Sequence, residues 1–414
     1  MAVTVISVTL ARLVVNMTRR FPYPFIGGIA RQLNVPLNSV QNLMAAQGGV
    51  GLSSPLFGPF SERYGRKRVM LACLFVMAVA SGLAALVPGL WVFALVMVVF
   101  GLGKAVFDPA MQAYLGDRIP YRRRGLALGV TELSWALALI IIAPVAGFLL
   151  ATSAAPPMTA AYLTVANIEP FPGLLSRSSG LQLVMLLLAV LCVAAFVLVA
   201  VFVPADRPDK DSESKIINPV KALNVIRKDP VALGAVAYII LLTGANEIFF
   251  INYSVWMEST FDLVLAALGA VTTIIAVSEV GGEVIIIALS DRLGKKRLAL
   301  VGALISGVSY FLVPALATTL DSALVGLFIM FLAVEVAIVG SIPLFTEILP
   351  DARAIMMSGI TAGGAGGRLL GAVIGGALLS ISGDFVLIGA VATAAGISAF
   401  VVLLLLIPEG DDRS

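Results

Sequence analysis

Eleven ionisable side chains stand inside stretches that are otherwise apolar: Arg12, Arg19, Arg20, Lys104, Asp108, Glu132, Glu247, Glu279, Glu283, Glu335 and Arg368. A charge at the centre of a membrane helix costs about 2.5–3.5 kcal/mol on insertion scales, so each of them must face protein or water. Glu279 and Glu283 are spaced i, i+4, which places two carboxylates on one helix face. Repulsion and desolvation then raise the pKa of at least one, and such a group holds a proton near neutral pH. The chain has no histidine. Proton transfer therefore falls to carboxylates, with Glu247, Glu279, Glu283 and Glu335 as candidates and Arg368 as their counter-charge. The alternative is that Arg368 or an arginine near the N-terminus neutralises them permanently.

Lys104 and Asp108 share the i, i+4 spacing with opposite sign and neutralise each other. Arg12, Asn16, Arg19 and Arg20 fall at i, i+4, i+7 and i+8, one stripe of a helix, with Pro22 and Pro24 just beyond to bend it. The stripe suits a carboxylate or phosphate; alternatively Arg12 reaches for the membrane surface while Arg19 and Arg20 pair with acids.

The elements that must hold these groups follow from composition. Of 414 residues, 60% are apolar and only 12% charged, about half the charge of a soluble domain. Crossing roughly 30 Å of hydrocarbon takes about 20 apolar residues as a helix. Twelve such stretches can be marked, at 3–29, 39–60, 69–88, 91–113, 126–149, 181–203, 231–254, 263–289, 298–316, 322–345, 355–381 and 385–407. The fold class expected is an all-α membrane protein of twelve spans in two six-helix lobes, 1–203 and 231–414, joined by a charged linker at 204–230. The first stretch lacks a basic leader and a cleavage site, so it is read as a retained span. With the N-terminus inside, 20 of the 27 Lys and Arg fall in inside loops and two, Arg31 and Arg177, in outside ones. By the positive-inside rule both termini are then cytoplasmic. The outside stretch 151–180 is long and proline-containing, a mobile loop or a lid. None of the eleven charges falls in spans 3, 6, 9 or 12.

An enzyme finds no footing here. Without histidine there is no Ser-His or Cys-His nucleophile, and the two cysteines, Cys73 and Cys192, lie in apolar runs, so no metal site or disulfide is expected. No cofactor is called for. A net charge of +3 does not point to nucleic acid.

One loop occurs twice. Gly58-Pro-Phe-Ser-Glu62-Arg63-Tyr-Gly65-Arg66-Lys67-Arg68 follows span 2, and Ser290-Asp291-Arg292-Leu-Gly294-Lys295-Lys296-Arg297 follows span 8, 229 residues later. The ends of spans 4 and 10 echo each other around Asp117–Pro120 and Glu347–Asp351. Internal duplication in a polytopic chain points to a two-lobed transporter.

With its twelve spans, its linker and this doubled loop, the chain resembles the major facilitator superfamily over essentially its whole length. The loop matches the family signature G-x-x-x-D-R-x-G-R-[KR]-x, with Glu62 standing where the family usually has Asp. The resemblance implies a latch made by Gly58, Glu62, Arg63, Gly65, Arg66, Asp291, Arg292 and Gly294, the acid meeting the N-terminus of a helix in the other lobe. It also implies that spans 1, 4, 7 and 10 line a central cavity, in which a small molecule would meet Asn16, Arg19, Arg20, Lys104, Asp108, Asn246, Glu247 and Glu335. Ala143-Pro144-Val145-Ala146-Gly147 partly matches the G-P-x-x-G-G element of drug and metabolite efflux members, with Ala143 and Phe148 in place of glycines. The arginine that many proton-coupled antiporters carry before Gly101-Leu-Gly103 is missing. Glycines at 48–51 and 363–376 would let spans 2 and 11 approach and slide. The implied function is secondary active transport by alternating access, as proton-coupled efflux of an amphiphilic or charged small molecule. The alternatives are a proton-coupled symporter importing an organic anion on Arg19 and Arg20, and a lipid translocator or non-transporting receptor. The partners implied are the substrate, protons and membrane lipid, for a monomer in a bacterial inner membrane.

Overall fold

The structure, a computed structural model, describes residues 2–56, 61, 64–119, 121–152, 179–206, 219–349 and 352–409, without the side chains of 2, 55–56, 121–130, 219–223, 291 and 354. Among them every regular element is helical: α1 (Ala2–Arg20), α2 (Ile26–Leu33), α3 (Leu37–Gly49), α4 (Arg66–Leu86), α5 (Leu90–Arg118), α6 (Tyr121–Thr152), α7 (Gly180–Phe202), α8 (Pro219–Lys228), α9 (Pro230–Phe250), α10 (Tyr253–Phe261), α11 (Leu265–Leu293), α12 (Lys295–Leu316), α13 (Leu320–Ile348), α14 (Arg353–Ser382) and α15 (Phe385–Leu406). Among the described residues ten stretches are long and apolar enough to cross a membrane, and they coincide with the third to twelfth expected from sequence.

The first two expected stretches are not single helices. Pro22 and Pro24 have no N–H to donate, and the chain turns as a 3-10 segment over Tyr23–Phe25, where Phe25 N–H bonds Pro22 O at 2.9 Å, before α2 begins. α3 likewise gives way to a 3-10 segment, Val50–Leu56, after Gly48 and Gly49. A corresponding break separates α9 from α10 at Ile251 and Asn252, and residue 251 lies 229 positions after Pro22, the offset of the doubled loop. No proline marks it. Asn252 Nδ2 instead donates to Ile248 O at 2.9 Å, a side chain taking up a carbonyl at the bend.

The chain forms two compact units: residues 1–43, 65–207 and 254–273, and residues 44–64, 208–253 and 274–414. In the first, α4 packs on α5 and α7, and α1 lies against α5, α6 and α7. In the second, α9 is sandwiched by α14 and α15, and α12 by α13 and α15.

The α9–α14 seam explains part of the glycine run. Gly367, Gly371 and Gly375 lie one turn apart, and a Cβ on each would stand 2.4, 2.5 and 2.6 Å from the carbonyl oxygens of Ile240, Gly244 and Ile248. Backbone therefore meets backbone, as small residues permit in membrane helices. Elsewhere in this unit Gly49 faces Leu369 and Gly51 faces Ala365, so the run also meets the glycine-rich end of α3. Because a carbonyl cannot turn aside as a side chain does, Gly371→Ala is expected to cost at least about 1–3 kcal/mol. Gly82→Ala, where nothing lies within 4 Å of the added methyl, should leave the melting temperature unchanged or raised. Thermal melts of the two variants in detergent check the contrast; equal melting would disprove the seam.

Candidate functional site: buried charges and the helices that hold them

The polar stripe of α1 is stitched to one segment of α6. Arg12 donates to Thr131 O at 2.9 Å and forms an ion pair with Glu132 at 2.9 Å. One turn on, Asn16 Nδ2 donates to Ser134 Oγ at 3.1 Å, and one turn further Arg20 donates to Trp135 O at 3.0 Å with its guanidinium 4.3 Å from the indole centroid. The same face of α1 meets α5. Lys104 donates to Asn16 Oδ1 at 2.7 Å and to Asp108 Oδ2 at 2.8 Å, while Asp108 Oδ1 accepts from Arg12 at 3.3 Å. Lys104 Nζ also lies 4.9 Å from the Trp135 centroid.

The predicted Lys104–Asp108 pair is thus present, inside a larger network in which two bases and two acids balance. Arg12 does not reach for a surface; it is only 4% exposed. Arg19 and Arg20 are buried beside it. Trp135 and Ser134 were not marked from the sequence, although both follow Glu132 on the polar side of α6. In an apolar surround such a network is held by having every charge answered, since an uncompensated buried ion costs several kcal/mol. Further along α6, Gly147 lies where a Cβ would stand 2.8 Å from Leu265 O, and a Cβ on Gly269 would stand 2.3 Å from Ala143 O. The Ala143–Gly147 element is therefore a backbone crossing with the start of α11, and its one retained glycine is the residue that needs to be small.

The second unit carries the other acids. Glu247 on α9, Glu279 on α11 and Glu335 on α13 are buried; Glu283 and Arg368 are half-buried. Two glycines set the positions of two of them. A Cβ on Gly371 of α14 would meet Glu247 Cβ at 2.8 Å, and one on Gly282 of α11 would meet Glu335 Cβ at 2.7 Å. α14 thus brings the turn containing Arg368 alongside Glu247, and α11 brings the Glu279–Glu283 segment alongside Glu335. The Asn246 carbonyl oxygen, shielded from solvent, has no hydrogen-bond partner among the described residues.

Of the expected latch, Gly58, Glu62 and Arg63 lie outside the described residues, as does the side chain of Asp291. So do residues 207–218 of the linker and 153–178 of the long outside loop. The two signature glycines are described, and they match: Gly65 has φ 91° and ψ 130°, Gly294 φ 89° and ψ 136°, each preceding the first residue of α4 or α12. Only glycine adopts that region readily. Each turn meets an acid not singled out in the sequence. Asp206 accepts from the backbone N–H of Arg66 and, at 3.1 Å, from that of Lys67, an anion at a helix N-terminus. Glu409 Oε1 lies 2.6 Å from where a Cβ on Gly294 would stand. The neighbouring lysines agree: Lys67 Nζ donates to Ala200 O at 2.7 Å and Lys296 Nζ to Leu404 O at 3.2 Å. The signal was available, since Pro204-Ala-Asp206 and Pro408-Glu409 close the last span of each half. Arg66 also pairs with Asp117, whereas Arg292 is exposed.

A family model described as Major Facilitator Superfamily matches residues 8–278 and 239–414. The Bacillus subtilis protein YceJ, described as an uncharacterized MFS-type transporter, is 24% identical over 338 residues, which is 81% of this chain and 79% of YceJ. YwfA of the same organism is 34% identical over 98 residues, and the match spans only about a quarter (24%) of that protein. A multi-drug resistance efflux pump PmrA homolog from Lactococcus lactis is 23% identical over 266 residues, 63% of this chain and 58% of that one. Among solved structures, the nucleoside transporter NupG superposes with a TM-score of 0.74 at 13% identity, covering 98% of this chain and 100% of NupG. A bacterial homolog of the human lysosomal transporter Spinster does so with a TM-score of 0.70 at 12% identity, covering 98% and 95%. At such identities the likeness is one of fold.

The network orders its own mutants. Asp108→Asn leaves Arg12 and Lys104 buried with Glu132 alone to answer them, and should cost about 3–5 kcal/mol. Arg12→Gln leaves the Lys104–Asp108 pair intact and the more exposed Glu132 in water, so only its hydrogen bonds are lost, about 1–3 kcal/mol. Melting temperatures in detergent should fall further for Asp108→Asn; the reverse order would show that Arg12, not Asp108, is the centre of the network.

Proposed function

The chain belongs to the Major Facilitator Superfamily, a family of integral membrane transporters, and from that premise we propose that it is a secondary active transporter, working by alternating access, that couples proton entry to efflux of an amphiphilic or charged small molecule. The observation that carries the coupling is the burial of Glu247, Glu279 and Glu335, at 3%, 7% and 9% exposure, in a chain with no histidine. Buried carboxyl groups are the side chains such a chain has for taking up and releasing a proton, the exchange a coupling site needs. The close glycine contacts beneath Glu247 and Glu335 add a mechanical element, because a shift of α14 or α11 moves the carboxylate it supports. The Asn246 acceptor, without a partner among the described residues, favours a polar path for the substrate in the second unit.

In favour of export are the Lactococcus relative described as an efflux pump and a multidrug resistance protein of Dickeya zeae, 30% identical over 115 residues (27% of that protein); a relative from Schizosaccharomyces pombe, 28% identical over 94 residues, is described instead as an amino acid uptake transporter. Import of an organic anion on Arg19 and Arg20 is the second reading; of the two, the Arg20 guanidinium already meets the Trp135 carbonyl and ring. Signature loops on the cytoplasmic side of a bacterial inner membrane, and protons as the coupling ion, complete the reading.

In proteoliposomes with an imposed pH gradient, wild-type protein should drive an amphiphilic dye against its gradient and stop when a protonophore collapses the pH difference. Glu335→Gln and Glu247→Gln should each lower gradient-driven transport at least about tenfold while downhill exchange of dye persists. Undiminished pH-driven transport in both variants would remove these residues from coupling, and accumulation of dye in right-side-out vesicles would refute export.

A further inference from the structure

At the end of the first unit remote from the Gly65 turn, two adjoining cavities of about 670 and 720 Å³ open on either side of a single ion pair, Arg31 to Glu258 at 2.6 Å. Neither residue belongs to the network of α1, α5 and α6. We propose that this is a binding site for an amphiphilic organic cation, with Glu258 as the carboxylate that receives it.

The walls are built to hold still. Gln32 donates to Leu150 O at 3.2 Å and accepts from Leu181 N–H at 2.7 Å, tying α2 to the end of α6 and the start of α7. α2 ends on Asn34, whose left-handed backbone (φ 52°) returns its N–H to Ala30 O and Arg31 O. Gly27 leaves room for Glu258, whose Oε2 lies 3.0 Å from where a Cβ would stand. The larger cavity is lined by Leu263, Val264 and Leu265 together with Glu258, Asp262 and Arg31.

The charges select the ligand. Among the described lining residues one base faces two acids, a formal net charge of −1. An anion approaching Arg31 meets Glu258 already on it and Asp262 nearby. A cation meets two carboxylates, and it need only detach Arg31, whose side chain is 57% exposed and returns to water at little cost. The apolar wall then takes the organic part, the usual division of labour in a small-molecule pocket. This site stands apart from the coupling reading, and its test reads binding rather than transport.

The experiment is equilibrium dialysis of the purified full-length chain against labelled tetraphenylphosphonium, with tetraphenylborate as the same shape with opposite charge and phenylalanine betaine as a zwitterion. Saturable binding of the phosphonium but not the borate is expected, weakened about tenfold by Glu258→Gln. Arg31→Gln should instead tighten it several-fold, because the competing internal cation is gone. Asp262→Asn should weaken it while keeping the fold, since asparagine tolerates the left-handed backbone of Asp262 (φ 52°). Tighter binding of the borate, weakening by Arg31→Gln, tighter binding of the betaine, or no effect of either acid substitution would each overturn the assignment, as would the absence of saturable phosphonium binding below about 1 mM.

Discussion

Asp108 is held between Arg12 and Lys104 in a chain whose surroundings offer charge no other refuge. Taking ions out of water is repaid only when geometry is good and remaining hydrogen-bonding atoms are answered. That requirement organises the first unit. Arg12 must reach both α5 and α6, so α1 has to lie against both. Asn16 must bridge Lys104 to Ser134, which sets the register of α1 on α6 to within one turn. Arg20 extends the contact by another turn, through the carbonyl and the ring of Trp135. In the second unit glycine shares this role: α9 and α14 are registered by backbone contact at Gly367, Gly371 and Gly375.

The chain repeats devices more faithfully than residues. Gly65 and Gly294 share a backbone conformation to within a few degrees because only glycine reaches it and because each turn must start a helix abruptly. The acid that meets each turn differs, Asp206 in one half and Glu409 in the other. The break near the middle of the first apolar stretch uses prolines; its counterpart at Ile251 uses the Asn252 amide. What each device requires is the position of a backbone group or a charge, and several residue types satisfy it. The same reasoning accounts for a TM-score of 0.74 to NupG at 13% identity. Helix length, apolar composition and a few close approaches define the bundle, and most side chains are free to vary within those limits.

Much of this was legible in the sequence because it is local or periodic. Apolar runs, the absence of histidine, the i, i+4 pair Lys104–Asp108, the doubled Gly-basic loop and the glycine run of α14 all declare themselves over a few turns of helix. Their physical content is the cost of unpaired backbone in lipid, the pitch of the helix and the conformational range of glycine. What tertiary structure decided is which distant groups meet. Arg12 and Glu132 are 120 residues apart, Lys67 and Asp206 139, and Arg31 and Glu258 227, and no period along the chain links them. A stripe of arginines on α1 reads equally well as a substrate grip or as a set of helix clamps until α6 is placed beside it. The sequence by itself therefore determined that charges are buried, and in which helices. Only the folded chain assigned partners to them, since a Coulomb interaction depends on separation in space and is indifferent to separation along the backbone.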